Sequence, residues 1–245
     1  PEKLKKENDQ LIIAQVSGYG QTGPNSNKAG FGAVAESVSG LRHLTGYPEL
    51  PPTRVGISIG DSLAGLFATI GVLSALIARD NNLGHGQNVD VAITESILAV
   101  MESIIPEYSA MGTIRQRSGT VLPRISPSNV YPTLDGGEIL IAANADSLFK
   151  SLTKVMRRPE LLEDHQYATH DARGKNQAAL DDIIGNWTKT KLGCDLLDLM
   201  DSHGIPAGPV NDVAAVMADP HFREREAIVD VQHSELGSLH MQGAF

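Results

Sequence analysis

Asp61 is the residue whose setting most suggests chemistry. It follows Gly60 and opens an apolar series at helical spacing: Leu63, Leu66, Phe67, Ile70, Leu73, Leu76 and Ile77. A carboxylate at a helix start lies beside backbone N–H groups that have no intrahelical partner, and these favour the anion. By pattern alone Asp61 reads first as a helix N-cap. The same position also suits a carboxylate nucleophile, which must be ionised, partly shielded from water and close to oxyanion donors. Gly60 would then leave room for a thioester. A second feature is the turn Gly18-Tyr19-Gly20-Gln21-Thr22-Gly23-Pro24. Its backbone can donate to an anionic oxygen, or it can be a tight strand-end turn, and the residues favour neither. A third is Arg124, in the polar, proline-stiffened loop Pro123-Arg124-Ile125-Ser126-Pro127-Ser128. It is the candidate cation for a small acid, and equally a surface charge. Gly84-His85-Gly86-Gln87 reads as a turn with His85 exposed. No histidine has metal-ligand spacing, so no metal is expected. Tyr131, Trp187 and Cys194 read as packing residues.

These residues sit on alternating strands and helices, so the fold class is α/β. Leu11 to Ser17 is an apolar, β-branched run of the kind buried in a parallel sheet. Ala29 to Leu41 has helical spacing, and Tyr47 to Gly60, with Pro48, Pro51 and Pro52, is an irregular connector. The helix from Asp61 runs to Arg79 and ends at Asn81, Asn82 and Gly84. Gln87 to Ala92 alternates as a strand, with Val89 and Val91 on one face. Glu95 to Ile105 is a helix stopped by Pro106. Residues 112–132 read as a linker or active-site loop. A smaller unit follows, with a strand over Glu138 to Ala143 and helices over Ala145 to Met156, Gln177 to Trp187 and Asp195 to His203. Asn211 to Met217 is a short helix capped by Asn211, and Ala227 to Val231 is a strand. The expected organisation is 1–111 as part of a large domain carrying Asp61, the 112–132 linker, a small α/β domain over 133–224, and 225–245 returning towards the large domain.

Composition narrows the partners. Lys and Arg number 20 against 29 Asp and Glu, a net charge of −9, which argues against nucleic acid or an anionic membrane. A single cysteine forbids an intrachain disulfide. No stretch approaches the ~20 uninterrupted apolar residues of a membrane span, so no membrane partner is expected. The chain opens at Pro1-Glu2 without Met, and the charged Pro1 to Gln10 reads as the end of an element. A truncated piece is expected.

Four segments in order resemble the class III (CaiB/BaiF-type) CoA-transferase family. They are Ser17 to Pro24, Gly60-Asp61-Ser62-Leu63-Ala64-Gly65, Gly84-His85-Gly86-Gln87-Asn88-Val89-Asp90-Val91, and Gly204-Ile205-Pro206-Ala207-Gly208-Pro209-Val210. Asp219-Pro220-His221 and His233-Ser234-Glu235-Leu236-Gly237 fit as well. Each motif is weak alone and the ordered set is specific. The resemblance implies a Rossmann-like large domain, here partial, plus a small α/β domain, in two chains interlocked like rings. It implies that Asp61 takes the acyl group and then CoA, so the CoA thioester is a substrate and no other cofactor is needed. Gly18, Tyr19, Gly20, Gln21, Gly60 and Arg124 become the expected substrate-binding residues. The implied partners are acyl-CoA, small carboxylic acids and a second copy of the chain. The implied location is cytoplasmic, or the mitochondrial matrix in a eukaryote. Members of the family extend before Pro1 and beyond Phe245.

Within the family, the glycine turn followed by Ala29-Gly30-Phe31 and Ser39-Gly40-Leu41 is nearest to succinyl-CoA transferases acting on dicarboxylic acids. The formyl-CoA branch carries a run of glycines near Arg124 that is absent here. α-Methylacyl-CoA racemases share the fold and need a His facing the Asp across the substrate α-carbon. In this chain Phe31 follows Gly30 at that place, and His43 lies too far along. Gly32 stands where relatives often have an acidic residue, so other groups are expected to orient Asp61. A third possibility is a folded fragment without turnover.

Overall fold

The structure is a computed structural model that describes residues 1–243, side chains of Asn82 and Leu83 excepted. The chain divides into two compact units between Thr120 and Val121. The first holds α1 (Glu2–Glu7), β1 (Ile13–Ser17), α2 (Gly32–Val38), α3 (Leu41–Leu44), α4 (Ile59–Ala78), β2 (Asn88–Ala92), α5 (Ile93–Leu98) and α6 (Ile104–Met111). β1 and β2 pair in parallel, from Ile13 opposite Asn88 to Ser17 opposite Ala92. A parallel pair needs a long crossover, and here it contains α2, α3 and α4. Ala35, Ile97 and Met101 form a small buried core, with Leu41, Leu44, Leu63, Ile93 and Ile104 packed around it.

Helix α4 carries Asp61 in its first turn and ends in a wider π-type turn over Arg79–Leu83, with Gly84 left-handed behind it. Ala64 and Ala75 lie on its buried side, while Leu66, Ile70, Leu73 and Ile77 are exposed. By length and composition Ile59–Asn81 is apolar enough to cross a membrane, which corrects the expectation that no stretch comes near this. Between Asp61 and Arg79 the run is interrupted only by small and hydroxyl residues such as Gly65, Thr69, Gly71 and Ser74, which lower its hydropathy little. Core helices of globular proteins share this composition.

Two helix boundaries differ from the sequence expectation. The helix expected over Ala29 to Leu41 is split into α2 and α3 by Gly40, at φ 90°. Pro106 does not stop a helix. α5 ends at Leu98, and Pro106 is the third residue of α6, where its missing N–H has no intrahelical partner to lose.

The second unit holds β3 (Ser128–Pro132), β4 (Glu138–Ala142), α7 (Asp146–Met156), α8 (His170–Lys175), α9 (Gln177–Thr188), α10 (Gly193–Ser202), β5 (Ala207–Pro209), α11 (Val213–Ala218), α12 (Pro220–Glu224), β6 (Ile228–His233) and β7 (Gly237–Gln242). β3, β4 and β5 form an antiparallel sheet with β4 central, and β6 and β7 form a hairpin. The core joins Tyr131, Ile139, Ile141, Phe149, Leu152, Leu180, Ile184, Leu196 and Met200. Tyr131 is buried as expected, and its hydroxyl donates to Asp181 at 2.6 Å. Burial pushes the Asp181 carboxyl above the usual range despite that bond. Trp187 packs against the same core, whereas Cys194 is exposed and not a packing residue. Strand β3 occupies the last part of the stretch expected to be linker. Asp212, not Asn211, caps α11, accepting from the Ala215 N–H at 2.8 Å. Arg173 is buried under the Phe149 ring, 4.6 Å from its centroid, and donates to the Ser126, Tyr167 and Asn144 carbonyls and to Asp146.

Candidate active site

Asp61 is not the cap of its helix. Ser58 holds the N-cap position, so Ile59, Gly60 and Asp61 are the first three helical residues. Their N–H groups have no intrahelical acceptor. The Ser62 N–H already donates to the Ser58 carbonyl at 3.1 Å. The exposed Asp61 carboxylate lies against Gly32, the first residue of α2. A Cβ at Gly32 would stand 2.6 Å from Asp61 Oδ2 and 3.1 Å from its Cγ. The absence of a side chain at position 32 therefore lets the carboxylate occupy this place. Phe31, just before it, is 74% exposed. Gly60 has a different reason to be small. It is buried, and a Cβ there would meet Ile97 Cδ1 at 2.8 Å, so it serves the close contact of α4 with α5.

The glycine turn delivers Phe31 and Gly32 to this place. Gly18 and Gly30 touch through their backbones, and a Cβ on either would lie 2.6 Å from the other's Cα. The Gly18 carbonyl accepts from the Thr94 N–H at 3.2 Å and its hydroxyl at 3.0 Å, which ties the turn to α5. The Gly20 N–H donates to Ser17 Oγ at 3.0 Å, and the Gln21 N–H donates to Asp90 at 2.9 Å. The Gln21 side-chain amide is engaged by Gln15 and Ser17. Two of the backbone donors expected for substrate are thus taken by side chains of β1 and β2. Tyr19 is half-buried beside them.

One turn along α2 from Gly32, Glu36 is 1% exposed and faces two arginines. Arg42 Nη2 lies 3.3 Å from its Oε2, and Arg54 Nε lies 3.7 Å from its Oε1. Arg54 Nη2 donates to Ser58 Oγ at 3.4 Å, at the start of α4. The Arg42 Nε is buried with no partner among the described residues. Sequence reasoning did not single out these arginines. The available signals were a lone charge within Phe31 to Leu41 and an arginine in Pro51-Pro52-Thr53-Arg54, directly ahead of the Asp61 helix.

Arg124 lies in the second unit with φ 68°, and its guanidinium donates to Asp171 at 2.7 Å. Lys175 and then Arg124 hold the Asp171 carboxyl below the usual range. His85 is exposed, as expected. Among the described residues no group of three or more His, Cys, Asp and Glu side chains could hold a metal.

The sequence model of CoA-transferase family III matches residues 1–245. The chain belongs to CoA-transferase family III. It is 49% identical over 241 residues to the succinyl-CoA:D-citramalate CoA-transferase of Chloroflexus aurantiacus, covering 98% of this chain and 60% of that protein. It is 32% identical to the succinate–glutarate CoA-transferase of Agrobacterium fabrum, covering 94% of this chain and 57% of that protein. The fold matches the crystal structure of a CAIB/BAIF family protein from Brucella suis with a TM-score of 0.81 and 33% identity, over 98% of this chain and 65% of the other. This family III chain thus spans about three fifths of the length of the curated relatives it matches. Its mixed α/β architecture is that of the CaiB/BaiF structures.

Proposed function

We propose that the protein transfers coenzyme A between carboxylic acids through a covalent thioester on Asp61, with a dicarboxylic acid such as succinate as one partner. The observation that carries the reading is the setting of Asp61: an exposed carboxylate in the first turn of a 20-residue helix, lying against a residue with no side chain. Membership of the family and relatives whose names specify succinyl-CoA and dicarboxylic acids support the substrate class.

The chemistry follows from a carboxylate nucleophile. An Asp61 oxygen attacks the carbonyl carbon of the donor thioester, the C–S bond breaks, and CoA leaves as thiolate. The product is a mixed anhydride. The thiolate attacks the aspartyl carbonyl of that anhydride, expels the donor acid as carboxylate, and leaves CoA on Asp61. A carboxylate of the acceptor acid attacks this second thioester and displaces the thiolate again. The thiolate then attacks the acceptor's acyl carbon, giving the new acyl-CoA and free Asp61. Each step exchanges one activated acyl bond for another, so no ATP is required. The unpaired N–H groups of the first turn of α4 favour negative charge beside Asp61. The CoA thioester enters as substrate, and the reading requires no further cofactor. Proton abstraction from a substrate α-carbon is disfavoured, because Phe31 offers no base beside Gly32.

The test is to incubate the whole protein with a panel of acyl-CoAs and acids and to read product masses. The reading expects succinyl-CoA plus a second dicarboxylic acid to give the second acid's CoA ester and succinate. Hydrolysis alone, or no conversion with any pair, contradicts it.

A further inference from the structure

We infer that Arg54, seconded by Arg42, receives the distal carboxylate of the acceptor acid and sets a preference for dicarboxylic over monocarboxylic acids. This rests on the transferase reading above. Four observations carry it. First, the Arg42, Arg54 and Glu36 cluster holds two cations against one buried carboxylate, so it has a surplus positive charge. Second, that charge is incompletely engaged. Arg54 is half-exposed, its contacts among the described residues are at 3.7 Å and 3.4 Å, and the Arg42 Nε has no partner among them.

Third, the cluster closes a ring with Asp61. Asp61 touches Gly32, Glu36 lies one turn on from Gly32, Arg54 bonds Glu36 and Ser58, and Ser58 lies one turn ahead of Asp61. At ~1.5 Å of rise per residue, Ser58 and Asp61 lie about 4.5 Å apart along the helix axis, and Arg54 reaches Ser58 Oγ at 3.4 Å, so a short dicarboxylic acid can extend from Asp61 towards Arg54. Fourth, Arg124, the cation expected for this task from the sequence, is engaged with Asp171.

The charges also set an order of events. With Asp61 ionised, its charge offsets the surplus. When Asp61 carries CoA as a thioester, that negative charge is gone and the surplus attracts the anionic acceptor. The acceptor diacid therefore binds the thioester form more tightly than the free enzyme, which suits an exchange in which donor acid must leave before acceptor enters.

The first test is kinetic. Asp61 adduct formation from succinyl-CoA is measured in the wild type and in Arg54→Gln. With succinyl-CoA as donor, KM is then measured for isotope-labelled succinate, whose label passes into succinyl-CoA, and for butyrate as acceptors. Losing a charge-assisted contact should raise KM for succinate by about ten- to a hundred-fold. KM for butyrate should change less than about three-fold, and Arg54→Lys should recover part of the loss. An equal loss with both acids, or no change with succinate, overturns the inference. The second test needs no turnover. Asp61→Asn imitates the uncharged thioester and should bind succinate about three- to ten-fold more tightly than the wild type, a gain removed by Arg54→Gln. No gain overturns the inference. A wild type that forms no adduct overturns the transferase reading itself, whereas a normal adduct with unchanged acid preference overturns only the role of Arg54.

Discussion

A carboxylate that attacks an acyl carbon, the role proposed for Asp61, needs room free of side chains, and the missing side chain at Gly32 leaves such room beside it. Replacing Gly32 with Ala puts a methyl 2.6 Å from Asp61 Oδ2. The atom in the way is the end of a flexible side chain, and Ala is a better helix former than Gly, so the variant should fold as well as the wild type. The carboxylate must move by a fraction of an ångström or more. A displacement of about 1 Å at a reacting group can lower turnover by as much as ~100-fold, so kcat should fall by about ten- to a hundred-fold at unchanged Tm. Unchanged kcat would show that this contact does not set the reactive position. Phe31 supports a second outcome at the same scale. No deuterium should enter the α-position of a 2-methylacyl-CoA in deuterated water above the enzyme-free rate. Uptake that is lost in Asp61→Asn would overturn the transferase assignment. The place of Asp61 at a helix start was legible in the sequence because a charge at the head of an apolar helix is a local pattern. The contact with Gly32 and the pairing of Glu36 with Arg54 were not, since both join residues from separate elements.

Among the elements, β1, α4, β2, β4, α7, α9 and α10 follow from periodicity and breakers, because in each a single face or a continuous apolar run dominates. The misread boundaries have physical causes. Gly40 at positive φ splits one expected helix in two, and Pro106 sits where a helix tolerates it. β5 is three residues long, too short to show a period, and β3 lies in a proline-rich stretch. The corner between α5 and α6 carries a testable charge cluster. Arg115 donates to Glu102, Ser103 and Glu107, and Ser103 donates to Glu107 as well. Hydrogen bonds from Arg115 and then Ser103 hold the Glu107 carboxyl at about 2, against an ordinary 4.5. A carboxyl with a depressed folded pKa contributes stability that is complete above its unfolded pKa and is lost as pH falls through its folded one. The contribution should therefore fade between about pH 4.5 and 2. In Arg115→Gln the larger part of it should be absent at every pH, leaving the share that comes from Ser103. Chemical denaturation across pH should give midpoints that differ at neutral pH and converge near pH 2. Parallel curves would mean that the ion pair does not act on folding.

At the scale of the whole molecule the chain forms two units and carries a net charge of −9, so an anionic acid has to be received by local donors. The first unit concentrates Asp61, Gly32 and the Glu36 cluster within one parallel crossover, while the expected cation Arg124 belongs to the second. The order of strand and helix patterns made the α/β class legible, although the structure sets helices in runs, α2 to α4 and α7 to α10. The side-chain pairings within each unit depend on packing that no linear pattern encodes. The central claim is that Asp61 carries CoA, and one measurement tests it most directly. The whole protein is incubated with succinyl-CoA and no acceptor, digested, and its peptides weighed. The account predicts a CoA-sized mass gain on the peptide carrying Asp61, removed by hydroxylamine and absent from Asp61→Asn, with turnover in that variant down by several orders of magnitude. An adduct on another residue such as Glu36, or near-native turnover in Asp61→Asn, would contradict it.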